Sequence, residues 1–306
     1  MSDLLKKYLF EARTVRVQSV RLQDTWKQAQ SHQQYPEAIT RLLGEMVAAS
    51  TLLAANIKFD GSLVLQIQGD GPIALLVVEC RSDLSLRATV KVREGHEVPA
   101  DGTMQSLLNA QGGGRFIVVL DPERKVPGQQ PYQGIVPLEG ETVAEALQHY
   151  MKASEQLDTR LWLAADGQVA AGLLIQRLPD QGGNEAEQQP PGEAWNRALH
   201  LAGTVSQQEL LATDVDTLIH RLFWEETLIA FEPAPVRWFC PCTRERVAGM
   251  LRTLGQAEVQ DILAEQGQVE VHCDFCGKPY LFDSVDCAGL FAAASPHREQ
   301  DPPTVH

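Results

Sequence analysis

A chain of 306 residues has room for one large domain and a smaller one, with a sizeable core. Its formal net charge of −14 and isoelectric point near 5.0 exclude the clustered Lys and Arg of a nucleic-acid-binding surface. The longest apolar stretch, Met46 to Ala55, is interrupted by Ser50 and Thr51 and is too short to span a bilayer, so no membrane partner is expected.

In chain order, Met1-Ser2-Asp3-Leu4-Leu5-Lys6-Lys7 carries no apolar signal core, and the protein reads as cytoplasmic. The first part reads as helices followed by a strand-rich region. Pro36 to Ala55 places Ile39, Leu42, Leu43, Met46 and Val47 on a helical stripe. Leu63 to Gln68 alternates, Ile73 to Val78 is a continuous apolar run, and Asp70-Gly71 between them predicts a tight hairpin turn. Leu84 to Val92 alternates again, with Leu84, Leu86, Ala88, Val90 and Val92 inward and Ser85, Arg87, Thr89 and Lys91 outward. Further strands are expected at 115–120, 133–136 and 169–176. Thr142-Val143-Ala144-Glu145 is a capping box opening a helix that buries Leu147, Tyr150 and Met151. Hairpins interleaved with few helices indicate an α+β domain with a largely antiparallel sheet over residues 1–178.

Asp180 to Gly192 is rich in Gly, Gln and Pro and has no aliphatic side chain larger than Ala; it reads as a flexible linker. Residues 179–236 form a linker region that becomes helical beyond this stretch. Ser206-Gln207-Gln208-Glu209 and Thr213-Asp214-Val215-Asp216 are two capping-box patterns, the second opening onto Leu218, Ile219, Leu222, Phe223 and Trp224. That segment is too small to bury its own apolar residues, so it is expected to lie on the first domain's sheet. Residues 237–292 form a small module with a helix at 256–265 closed by Gly267 and a strand at 269–272; residues 293–306 are a polar, disordered tail.

The chemistry lies in Cys240-Pro-Cys242 and Cys273-Asp-Phe-Cys276, two close pairs with the turn residue Gly277 after the second. This is the spacing of a tetrahedral four-thiolate zinc site, with one Zn²⁺ per chain in the reduced form. The site reads either as a structural staple or as a redox sensor, because in a reducing compartment paired cysteines are metal ligands or sensors more often than lasting disulfides. A module of this size depends on its metal, whose binding is worth on the order of 10–16 kcal/mol in small zinc peptides. Cys80 and Cys287 lie outside the pattern and read as buried structural thiols; His272 reads as a solvent-facing strand residue. Gly112-Gly113-Gly114 lacks the Lys-Ser/Thr of a phosphate loop, and no nucleophile–base pair stands out, so neither a nucleotide nor catalysis is expected.

The same cysteines, with Tyr8-Leu9-Phe10, residues 65–72, residues 132–140, Ser154-Glu155-Gln156-Leu157, Thr159-Arg160 and Tyr280-Leu281-Phe282, resemble segments of the heat-shock-protein-33 family of redox-regulated bacterial chaperones, in the right order along nearly the whole chain. The resemblance implies an ATP-independent holdase, inactive when reduced and zinc-bound, and a homodimer when active. Oxidation would then form Cys240–Cys242 and Cys273–Cys276, expel zinc and unfold the adjacent linker, with the apolar residues from Leu218 to Trp224 as candidates for binding unfolding client proteins. The one-residue gap makes Cys240–Cys242 the tighter ring, so Cys273–Cys276 is expected to close more readily. The competing reading is an enzyme, a thiol–disulfide oxidoreductase using Cys273 and Cys276. That chemistry ordinarily places the motif at a helix start.

Overall fold

The computed structural model describes residues 3–58, 60–124, 131–179 and 192–292. The chain divides into two compact units, 1–239 and 240–306.

The first unit opens with strands, where the sequence reads as helical. β1 (Leu4–Phe10) and β2 (Val15–Leu22) pair antiparallel, followed by a short α1 (Asp24–Ala29) and the long α2 (Glu37–Ala54). The period-2 signal in β2 is obscured because Ser19 and Gln18 are buried among its valines. Helix α2 starts at Pro36, as expected, but buries fifteen of its eighteen residues instead of a single stripe. A helix apolar on all sides belongs in an interior, and α2 touches strands of two different sheets. At Gly44 a Cβ would collide with Ala165 Cβ and come within 3.1 Å of Trp26, so only glycine permits this closeness.

There follow β3 (Gly61–Gln68), β4 (Ile73–Arg81), β5 (Ser85–Val92), the short α3 (Met104–Leu108), β6 (Arg115–Pro122), β7 (Tyr132–Pro137), α4 (Val143–Ala153), β8 (Thr159–Ala165) and β9 (Ala170–Arg177). The hairpin at Asp70-Gly71 joins β3 to β4, and Thr142 caps α4 by accepting from the Glu145 N–H at 3.2 Å. The outward face assigned to β5 is only half right. Ser85 and Thr89 are buried, shielded by cross-strand neighbours such as Val77 opposite Thr89, and Leu84 sits in the preceding turn at φ 58.

The middle segment supplies α5 (Glu193–Ala202), α6 (Gln207–Ala212), α7 (Val215–Phe223), β10 (Leu228–Ala230), β11 (Ala234–Pro235) and β12 (Arg237–Trp238). The cap of α7 is Asp214, one residue later than the sequence pattern places it; Thr213 ends α6 instead. Most of the expected linker, 180–191, and the tail, 293–306, lie outside the described residues.

These strands form two six-stranded sheets where a single sheet was expected. One runs β10-β1-β2-β9-β8, with β11 also on β1; the other runs β12-β5-β4-β3-β6-β7. All pairings are antiparallel except β12 with β5. The core around α2 joins Leu5, Val20 and Leu174 of the first sheet to Leu65, Leu76 and Leu86 of the second. Strand β9 is buried on both faces, because its far side carries α5 to α7.

The second unit contains α8 (Arg244–Leu254), α9 (Gln256–Gln266), the hairpin β13 (Val269–His272) and β14 (Pro279–Phe282), and α10 (Ser284–Ala292). Helix α9 closes on Gly267 in the left-handed region, at φ 76. Among the described residues the core of this unit is eight buried side chains, including Leu251, Val259, Phe282 and Cys287. That is a small core for an independent fold without a metal or cross-link.

Candidate metal centre

Two local structures converge on the four cysteines. Cys240 and Cys242 lie in the loop that follows β12, ended by Thr243, which caps α8 by accepting from the Arg246 N–H at 3.3 Å. Cys273 and Cys276 occupy the turn of the β13–β14 hairpin. There Cys273 N–H donates to the Lys278 carbonyl at 3.0 Å, Gly277 N–H donates to the Cys273 carbonyl at 2.8 Å, and Gly277 takes φ 67. This turn aims both thiols the same way. All four Sγ atoms lie within 4.8 Å of one another, with Cys240–Cys273 at 3.6 Å and Cys242–Cys276 at 3.4 Å. A tetrahedron of thiolates bound at about 2.3 Å has edges of about 3.8 Å. The geometry therefore fits a metal ion, and four soft sulfur donors fit Zn²⁺ better than the oxygen-loving cations.

Burial pushes the Cys240 and Cys276 thiols up. At Cys242 burial acts in the same direction but is outweighed by hydrogen bonding from Tyr280 and from the other three thiols, and this thiol falls to about 7. The Tyr280 hydroxyl is enclosed and has no other partner among the described residues. Arg244 braces the hairpin from behind. Its Nη1 donates to the Leu281 carbonyl at 2.6 Å, its Nη2 meets Asp286 at 2.6 Å, and its guanidinium lies 4.2 Å from the Phe282 ring centre. Helix α8, which supplies Arg244, and strand β14 have no place in the sequence reading, although Thr243 as a cap and Val247, Met250, Leu251 and Leu254 at helical spacing are the signal that could have found α8.

His272 points to solvent and pairs with Glu270 at 3.3 Å, clear of a ligand role. Cys80 and Cys287 are both buried, and burial raises both thiols. Cys273 and Cys276 sit in a hairpin turn and not at a helix start, the position at which a C-x-x-C thiol is activated in oxidoreductases.

The candidate client-binding residues belong to the first unit. Leu218, Ile219, Leu222 and Phe223 are buried against Phe10, Val15, Val17, Leu173 and Ile175 on the outer face of the first sheet. Trp224 departs from the group: it is the residue just after α7 and is 69% exposed, because the helix turns it away from the sheet. Polar contacts fix the edges of the segment. Lys6 Nζ reaches Asp216 at 2.6 Å, and Arg21 donates twice to the Leu211 carbonyl at 3.0 and 2.9 Å. Arg197 bonds Glu226 at 2.8 Å. Burial, and then Asp216, raise the Tyr8 hydroxyl to about 12.

The Hsp33 protein family model matches residues 3–283. The 33 kDa chaperonin of Methylobacillus flagellatus is 48% identical over 95% of each chain, and that of Chromobacterium violaceum 45% over 94% of each. The 33 kDa chaperonin of Pseudomonas aeruginosa is 42% identical over 96% of each chain. The crystal structure of the 33 kDa chaperonin of Thermotoga maritima superposes with a TM-score of 0.79 at 22% identity, over 96% of this chain and 99% of that one. Fold, four-thiol centre and matches together define the class as a molecular chaperone. The chain belongs to the Hsp33 family.

Proposed function

We propose that this protein is an ATP-independent holdase switched by oxidation of its cysteine centre. The observation that carries the reading is the four-thiol cluster in a unit with a small core, joined by chain to a segment whose apolar face is buried on a sheet. In the reduced state the four thiolates hold one Zn²⁺, whose binding supplies folding energy to the small unit.

The switch begins when a thiolate attacks peroxide, becoming a sulfenic acid and releasing hydroxide; a neighbouring thiolate then attacks the sulfenic sulfur and closes the disulfide as a second hydroxide leaves. Forming each disulfide thus takes two electrons from a pair of thiols and reduces one peroxide to two waters. The pairings assigned are Cys240–Cys242 and Cys273–Cys276, as the family resemblance implies. Either pairing would take two of the four sulfurs that would hold a Zn²⁺, so the unit would lose much of the folding energy that metal binding supplies. The chain enters this unit straight from β12, so the segment ahead of it loses its anchor. Helices α5 to α7 are six to ten residues long, below the roughly 12–15 needed for an isolated helix in water; undocked, they open. Leu218, Ile219, Leu222 and Phe223, and the sheet face beneath them, then become an apolar surface for unfolding clients, with Trp224 as a contact already at the surface. We assign the active form as a homodimer acting in the cytoplasm without a nucleotide.

The test titrates reduced protein with peroxide at mild heat and follows zinc release, free thiols and suppression of a client's aggregation together. All three should move in step. Aggregation suppression that is full before any thiol is lost would overturn the switch. Turnover of a disulfide substrate would favour the oxidoreductase reading instead.

A further inference from the structure

The first sheet turns polar on its α2 face at the point where α2 ends. The register sets Lys7 opposite Gln18 and Arg16 opposite Gln176, all on one face of β1, β2 and β9. Lys7 Nζ donates to the Ala55 carbonyl at the helix end. Arg16 Nη1 donates to Asn56 Oδ1 at 2.6 Å and to Gln176 Oε1 at 3.3 Å. Asn56 and Gln18 exchange side-chain amide bonds at 3.0 and 3.2 Å, and Gln176 donates to Thr159 at 3.0 Å. The amides are therefore occupied.

The two cations are not balanced. Both are half-buried, and among the described residues neither has a carboxylate within 4 Å; their acceptors are all neutral oxygens. The Nε and Nη2 donors of Arg16, the edge that fits an oxyanion bidentately, meet no protein acceptor among those residues. Burial lowers both groups, and Arg16 lowers Lys7 further, so the pair repels itself. The α2 C-terminus offers about half a negative charge, short of the two positive charges present. Lys6, Arg87, Arg197 and Arg237 each have a carboxylate, whereas Arg21 and Arg93, like Lys7 and Arg16, meet only neutral oxygens among the described residues; what sets Lys7 and Arg16 apart is that the two cations share one face of the sheet.

We propose that Lys7 and Arg16 form a binding site for a small oxyanion, a phosphate or carboxylate group, at the C-terminal end of α2. Arg16 grips it with its Nε–Nη2 edge, and Lys7 adds the second charge. An anion there would bridge β1 and β2 to the helix that packs on them.

The experiment is calorimetric titration of the full-length reduced protein with inorganic phosphate and, separately, succinate, ionic strength being held constant with chloride. Saturable binding with a stoichiometry of one is expected, accompanied by a ligand-dependent rise in Tm. Arg16→Gln and Lys7→Gln should each weaken binding at least tenfold, and Arg16→Lys, which keeps the charge but loses the fork, by an intermediate factor. Binding of phosphate alone assigns a phosphate-bearing ligand, and of succinate alone a carboxylate. Absence of saturable binding by both probes overturns the site, as do variants that bind like the parent; the cations then serve only to cap α2. If Arg16→Gln fails to fold by circular dichroism, Arg16→Lys and Lys7→Gln decide the outcome.

Discussion

Phe223, the last residue of α7, meets Phe10 of β1 edge to face, with ring centres 5.5 Å apart and planes at 77°. This pair closes the apolar layer between the middle segment and the first sheet. Phe223→Ala removes an edge-to-face contact and leaves a void, at a cost of ~3–5 kcal/mol. Because α7 is too short to persist alone, the loss should appear as local opening. Amide exchange across 215–223 should accelerate by orders of magnitude while β3 to β6 stay protected. Unchanged exchange in α7 would show that its docking does not depend on this layer.

The ion pair at the other end of α7 should behave differently. Lys6 and Asp216 touch, but the Asp216 side chain is 69% exposed, and pairs of that kind contribute ~0–1 kcal/mol. Asp216→Asn should leave α7 exchange within a few-fold of the parent, and salt should erase the remaining difference. A loss as large as that of Phe223→Ala would shift the weight of docking from packing to charge.

Removing the metal ligands should affect the two units unequally. In Cys273→Ser/Cys276→Ser the second unit keeps only its small core, and its helices and hairpin should disappear from heteronuclear NMR spectra. Stoichiometric zinc should be lost, and the first unit should keep its own unfolding transition. A double variant that retains stoichiometric zinc would exclude these sulfurs as the ligands.

Glu45, buried on α2, gives the first unit a pH dependence. Burial raises its carboxyl to about 7 from an ordinary 4.5, with Arg41 opposing. The folded chain therefore binds a proton that the unfolded chain has released between these two values. Stability is highest below about 4.5 with respect to this group and falls as pH rises through 7, by ~3 kcal/mol at most. Glu45→Gln should flatten that fall. Urea midpoints of the first transition at pH 5 and pH 8, parent against variant, measure it; equal pH slopes in both would remove Glu45 as the cause.

Much of the site was legible before any coordinates, because metal ligation depends on residue type and close spacing. Cys240, Cys242, Cys273 and Cys276 announced a four-thiol centre, and Gly277 announced the turn that aims two of them. Local signals also fixed α2, the β3–β4 hairpin, α4 with its Thr142 cap and α9 with its Gly267 stop, since caps, turns and periodicity act within a few residues. The apolar stripe of α7 even required a covering surface. Tertiary structure alone decided what long-range pairing controls. It made strands of the first residues, because β1 and β2 have partners some 150 residues away or more in β9 to β11. It split the strands into two sheets about a helix buried on every side, kept Ser85 and Thr89 from solvent, and turned Trp224 outward while seating Phe223. It also left Lys7 and Arg16 on one face of the sheet with no carboxylate within 4 Å among the described residues, since a charge's partner is set by what packs over it and not by its neighbours in sequence.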